Sequence, residues 1–84
     1  MQTKNEIVHL IKENLVEIIP ELAGEEIAVD ETLVDLGANS VDRGELITLT
    51  LERLNLDISR IEFVSAQTIN ELADLIVEKK TPLQ

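Results

Sequence analysis

Side-chain catalysis needs a base within hydrogen-bond reach of a nucleophile, and this sequence offers almost no such pairs. It holds one histidine, His9, and no cysteine, tyrosine or tryptophan. His9 stands beside Lys12 and Glu13, far along the chain from any serine it could activate, and reads as a solvent-facing helix residue. A hydrolase built on Ser40 would therefore lack both its base and the group that orients the base. Carboxylates are plentiful, yet Glu25, Glu26, Asp30, Glu31 and Asp35 have neither the central glycine nor the alternating oxygen ligands of a calcium loop. They read as a solvated acidic loop, and no metal site is expected.

One run remains, Asp35-Leu36-Gly37-Ala38-Asn39-Ser40-Val41-Asp42-Arg43, where two cap-type residues stand side by side at the opening of a helix. With Asn39 as N-cap, its side chain accepts from the free N–H groups of the first turn and Asp42 falls at the favourable third position. Ser40 is then left at the first helical position without a capping task, its Oγ free and outward. A phosphodiester on that oxygen would lie beside the positive end of the helix dipole, with no bulky side chain at Gly37 or Ala38 in its way. On these residues alone the commoner role for such a serine is a plain cap.

The elements that must hold this run are helical. Ile7, Leu10 or Ile11, Asn14 or Leu15, and Ile18 recur at helical spacing behind Thr3-Lys4-Asn5-Glu6, a capping box, which predicts a first helix over about 3–19 ended by Pro20. A second helix is expected over 40–54, with Leu46, Ile47, Thr50 and Leu54 on one side and Glu45, Thr48 and Glu52 opposite. Ser59-Arg60-Ile61-Glu62 has the form of another box and predicts a short third helix of one or two turns, followed by Phe63 and Val64. Thr68-Ile69-Asn70-Glu71 opens the last helix, with Ile69, Leu72, Ala73, Ile76 and Val77 inward and Lys79 and Lys80 against its C-terminal dipole. Residues 81–84 are expected to fray. Strand signals are weak, and the fold class is all-α. The 20-residue connection over 20–39 is acceptable in a small domain only if anchored, and Leu22, Ile27, Val29, Leu33 and Leu36 are spaced to anchor it, with a helical turn over 32–36.

The chain has 84 residues, 44% hydrophobic and 29% charged, which fits one domain with a small core and excludes a disordered acidic tail. Its net charge of −10 sets it against nucleic acid and anionic membrane surfaces, and basic protein surfaces suit it better. There is no signal-peptide pattern at the start and no apolar run long enough to span a bilayer. With no cysteine there is no disulfide framework, and the cytoplasm is the expected location.

The run from Asp35 to Asp42, followed by Glu45-Leu46, resembles the acyl carrier protein signature, in which Asp-Ser-Leu at the head of the second helix carries 4'-phosphopantetheine on its serine. The resemblance covers nearly the whole chain. It implies a four-helix acyl-carrier-like bundle with a long first loop and a short third helix, residues 1–84 forming a single carrier domain. It also implies a covalent 4'-phosphopantetheine on Ser40, placed there by a phosphopantetheinyl transferase using coenzyme A and Mg²⁺. The serine would be a tether for acyl thioesters and the protein would not be an enzyme. Asn39 replaces the usual Asp and Val41 the usual Leu, departures that bear on which enzymes recognise the helix.

Gly37-Ala38-Asn39-Ser40-Val41-Asp42-Arg43 is similar to free-standing carriers of bacterial polyketide assembly lines, especially donors in the β-branching cassette built around an HMG-CoA-synthase-like enzyme. This similarity implies a monomeric carrier loaded with malonyl by an acyltransferase and decarboxylated to acetyl by a ketosynthase-like enzyme. The acetyl carbanion is then added to a β-ketoacyl chain on another carrier. A general or fatty-acid carrier, and an unmodified acidic helical interaction module, are the competing readings. Asn39, Val41, Asp42, Arg43, Glu45 and Glu52 are the expected docking residues; the acidic ones also fit a merely solvated helix face. Arg43 would steer partner choice or pair with a carboxylate. Gly44 would admit a close partner or the arm, or be tolerated drift. The Leu, Ile and Val interior, with Phe63 its only aromatic, would make room for an acyl chain or simply pack as small helical domains do.

Overall fold

Each α-helix starts where a side chain satisfies the unpaired N–H groups of its first turn. In the computed structural model, which describes residues 3–80, α1 spans Lys4–Ile18 behind the N-cap Thr3. Thr3 Oγ1 accepts from the Glu6 N–H at 3.2 Å and the Glu6 carboxylate accepts from the Thr3 N–H at 2.8 Å. Pro20 follows and opens a 3₁₀ turn, Pro20–Leu22. α2 spans Ser40–Arg53 and α3 spans Ile69–Lys80. At α3, Thr68 Oγ1 accepts from the Glu71 N–H at 3.0 Å, while Glu71 Oε1 takes the Gln67 N–H at 2.8 Å, one residue earlier than a standard box requires. The expected fraying of 81–84 lies outside the described residues.

The described residues are all-helical, with three α-helices instead of four. The segment expected as a short third helix is a 3₁₀ turn, Arg60–Phe63. Its text matches a capping box, but Ser59 Oγ accepts from the Ile61 N–H at 3.4 Å and the Glu62 carboxylate pairs with Lys79 Nζ at 3.2 Å. Without the reciprocal cap the segment keeps only the tighter i→i+3 pattern. Phe63 is its one buried residue, and Ile61 and Val64 are turned outward.

The long connection is anchored at several depths. Ile27 and Leu33 are buried, and Leu22, Val29 and Leu36 pack partly against the core. Backbone ties run to the start of α3: Leu33 N–H to Gln67 O at 2.8 Å and Asn70 N–H to Val29 O at 3.0 Å, with an isolated antiparallel bridge between Thr32 and Thr68. The expected turn over 32–36 closes with Leu36 N–H on Thr32 O at 3.1 Å. Gly37 then reverses the chain at φ 103°, a conformation that a side chain would strain.

Ile7, Ile11 and Leu15 of α1 meet Leu46, Ile47 and Leu51 of α2 and Ile69, Leu72, Ala73 and Ile76 of α3 in one buried cluster that also holds Phe63. Two polar side chains are fully buried with them. Asn14 Nδ2 donates to Thr50 Oγ1 at 2.8 Å, and Asn14 Oδ1 accepts from Arg53 Nη1 at 2.6 Å. Arg53 also grips the exposed Glu17 through Nη1 and Nη2, the latter at 3.0 Å, and this hydrogen bonding holds the Glu17 carboxyl below the usual carboxylate range. A carboxyl lowered in this way ties α1 to α2 at neutral pH and lets go as pH falls through its folded value.

Gly44 lies inside α2, where glycine costs about 1 kcal/mol relative to alanine. A Cβ there would sit 3.5 Å from Arg60 Nη1, an ordinary contact. Gly44→Ala is therefore expected to gain roughly 0.5–1 kcal/mol and raise Tm by several degrees in a thermal melt followed by circular dichroism. A lower Tm would show that Arg60 cannot yield.

Candidate functional site

The head of α2 is built by four residues whose polar groups satisfy one another and leave a fifth free. Asn39 adopts extended backbone, its Oδ1 accepts from the Asp42 N–H at 2.8 Å, and its own N–H donates to Asp42 Oδ2 at 3.2 Å. The Arg43 N–H closes the first helical bond on Asn39 O at 2.9 Å, and Arg43 Nη1 donates to the carbonyl of buried Ala38 at 3.1 Å. Arg43 thus clamps the loop end to the helix and pairs with no carboxylate among the described residues, one of its two expected uses. Ser40 sits at the first helical position, exposed, and its Oγ makes no hydrogen bond to the described residues.

Ser40 opens onto a groove of about 480 Å³. Val41, Arg43 and Gly44 border it on the α2 side, and Arg60 and Val64 form the opposite wall. Its floor is apolar, from the buried side chains of Leu33, Ile47 and Leu72. Two of its lining residues are large apolar side chains left exposed, Val41 at 72% and Val64 at 65%; Ile61 at 68% and Val34 at 61% are exposed too but do not line it. Arg60 and Val64 were not expected at this site, because their approach to α2 depends on how the Arg60–Phe63 turn packs and not on local spacing.

The docking residues expected from the sequence divide into two groups. Asn39, Val41, Asp42 and Arg43 gather around Ser40. Glu45 and Glu52 are exposed but do not line the groove; seven residues apart, they share a face of α2 about 120–140° round the helix from Ser40. His9 is exposed on α1 with its Nε2 3.3 Å from Glu13, and it does not border this groove. Among the described residues no group of His, Asp and Glu side chains could hold a metal, and no helix is long and apolar enough to cross a membrane.

An exposed hydroxyl at a helix start can bear a covalent group. The surroundings fit an attached phosphopantetheine: the cap is complete without Ser40, space around Gly37 is open, and an apolar-floored groove begins at the hydroxyl.

A family model described as a phosphopantetheine attachment site matches residues 9–76. The chain is 43% identical over 76 residues to the polyketide biosynthesis acyl-carrier-protein AcpK of Bacillus subtilis strain 168, across 90% of this chain and 93% of that one. Its structure is similar to one in the crystal structure of the curacin biosynthetic pathway HMG synthase in complex with acetyl donor-ACP. The TM-score there is 0.88 at 39% identity, over 92% of this chain and 99% of that one. An NMR structure of the HMG-ACPI domain from the CurA module of Lyngbya majuscula matches with a TM-score of 0.72 at 30% identity, over 92% of this chain and 77% of that one.

Proposed function

This chain belongs to the phosphopantetheine attachment family, and we propose on that basis that Ser40 is the attachment residue and that the protein is the acetyl-donor carrier of a polyketide β-branching step. The family is one of carriers, not catalysts, and its cofactor is covalent 4'-phosphopantetheine. The observation that carries the residue assignment is the exposed Ser40 Oγ at the first position of α2, freed by the reciprocal Asn39–Asp42 cap and facing the groove. When attached, the arm supplies a terminal thiol that holds acyl groups as thioesters. The chain presents that arm: Asn39 and Asp42 fix the helix start, Arg43 locks the preceding loop, and Leu33, Ile47 and Leu72 offer an apolar surface beside it.

The donor role is supported by the 43% identity to a polyketide carrier and by the 39% identity and close superposition with a structure from the acetyl donor-ACP complex. The partners are then a phosphopantetheinyl transferase, a malonyl-delivering acyltransferase, a ketosynthase-like decarboxylase and an HMG-CoA-synthase-like enzyme. With the Arg60–Phe63 turn counted as its short third helix, the chain is a four-helix carrier domain over residues 1–84, monomeric and cytoplasmic. In the test, acetyl-loaded protein is mixed with an HMG-CoA-synthase-like enzyme and, separately, with a fatty-acid ketosynthase. Acetyl transfer to the first is the expected result. Transfer to the second alone identifies a general carrier.

Docking combines the exposed apolar side chains Val41 and Val64 beside Ser40 with the charges of Asp42, Glu45 and Glu52. Exposed complementary charges are screened over roughly 10 Å at 0.1 M salt, so affinity for the synthase-like enzyme should fall as salt rises. Glu45→Lys with Glu52→Lys should weaken it further, mainly through slower association. Unchanged affinity in the double variant would return both residues to the role of a solvated face.

A further inference from the structure

In a chain with 17 Asp and Glu against 7 Lys and Arg, a cation without a carboxylate partner calls for an explanation. Lys4 pairs with Asp74, Lys79 with Glu62 and Arg53 with Glu17. Lys12, Lys80, Arg43 and Arg60 pair with no carboxylate among the described residues, and of these four only the two arginines border the groove at Ser40. Arg43 uses Nη1 to hold the Ala38 carbonyl, which fixes its side chain and leaves its other donors uncommitted. Arg60 reaches over α2 at Gly44, its Nη1 3.5 Å from where a Cβ on that residue would lie, immediately beside Arg43 in the chain. Two like charges brought to one groove repel unless an anion sits with them, and guanidinium forks match the oxygens of phosphate and carboxylate.

We propose that Arg43 and Arg60 form an oxyanion clamp over the groove and hold an anionic oxygen group of the arm attached at Ser40. The inference rests on the assignment of Ser40 made above. Two sources share the required chemistry. The phosphodiester at Ser40 stands one helical turn from Arg43, with Cβ atoms about 5–6 Å apart. A carboxylate at the end of a dicarboxylic acyl group such as malonyl is the other, if the arm folds back along the apolar floor. In either case the clamp draws the arm over Ile47 and Leu72 instead of leaving it in solvent.

The test follows the side-chain Nε–Hε signals of the three arginines by NMR in ¹⁵N-labelled protein. Four samples are compared: apo, phosphopantetheinylated, acetyl-loaded and malonyl-loaded, each verified by intact mass. Failure to load at Ser40 overturns the attachment assignment and is seen in the mass before any spectrum is read. In loaded protein the expected result is displacement of the Arg43 and Arg60 signals while Arg53, engaged with Glu17, stays in place. Displacement on arm attachment identifies the phosphodiester; displacement only in the malonyl sample identifies the carboxylate. No displacement in any loaded sample overturns the clamp. Arg60 is exposed and makes no hydrogen bond among the described residues, so Arg60→Gln should fold and should remove most of the Arg43 displacement. An Arg43 displacement that survives in full overturns the two-residue clamp.

Discussion

Phe63→Ala is expected to lower stability by about 3–5 kcal/mol, much of what a domain of this size possesses. Phe63 is fully buried, the only aromatic residue of the chain, and the sole inward residue of the Arg60–Phe63 turn, so its ring joins that turn to α2 and α3. Ala66, whose N–H donates to the Phe63 carbonyl at 3.1 Å, has little side chain with which to refill the void. Urea unfolding followed by helical circular dichroism should show a midpoint far below that of the native chain. A loss under about 1 kcal/mol would mean that the turn is held by other contacts. Function would suffer with stability, since Arg60 and Val64 form one wall of the Ser40 groove and depend on this anchor.

Ser40→Ala should have the opposite profile, with phosphopantetheinylation abolished and stability within about 0.5 kcal/mol of the native chain. The cap is the reason. Asn39 and Asp42 exchange both hydrogen bonds without the serine, so its loss leaves no N–H unsatisfied. Asn39→Ala is the informative contrast, since it removes the cap itself and should cost roughly 0.5–2 kcal/mol while leaving the hydroxyl in place. A Ser40→Ala chain that still gains the arm, or one that unfolds, would reverse the roles assigned to these two neighbours.

The parts of the fold legible in the sequence are those governed by short-range chemistry. Thr3 with Glu6 and Asn39 with Asp42 lie three residues apart, and their caps form as their text implies. Ser59 and Glu62 have the same spacing, yet Glu62 finds Lys79, and the helix reduces to a 3₁₀ turn. A local pattern cannot report a competitor 17 residues away. The Asn14–Thr50–Arg53 network was hidden for the same reason, with partners 36 and 39 residues apart; Asn14 showed in the sequence only as a position in the apolar stripe of α1. At the site, Ser40 and its cap could be read directly, whereas the opposite wall of the groove could not. Arg60 reaches Gly44 only after the chain has turned back at 54–59, and no spacing rule encodes that approach.

The attachment of the arm to Ser40 is tested most directly by incubating the native chain with a phosphopantetheinyl transferase and coenzyme A, digesting it, and sequencing the modified peptide by tandem mass spectrometry. One phosphopantetheine per chain, on Ser40, is the expected result. An unmodified chain, or an arm on Ser59 or Ser65, the other two serines present, would contradict it.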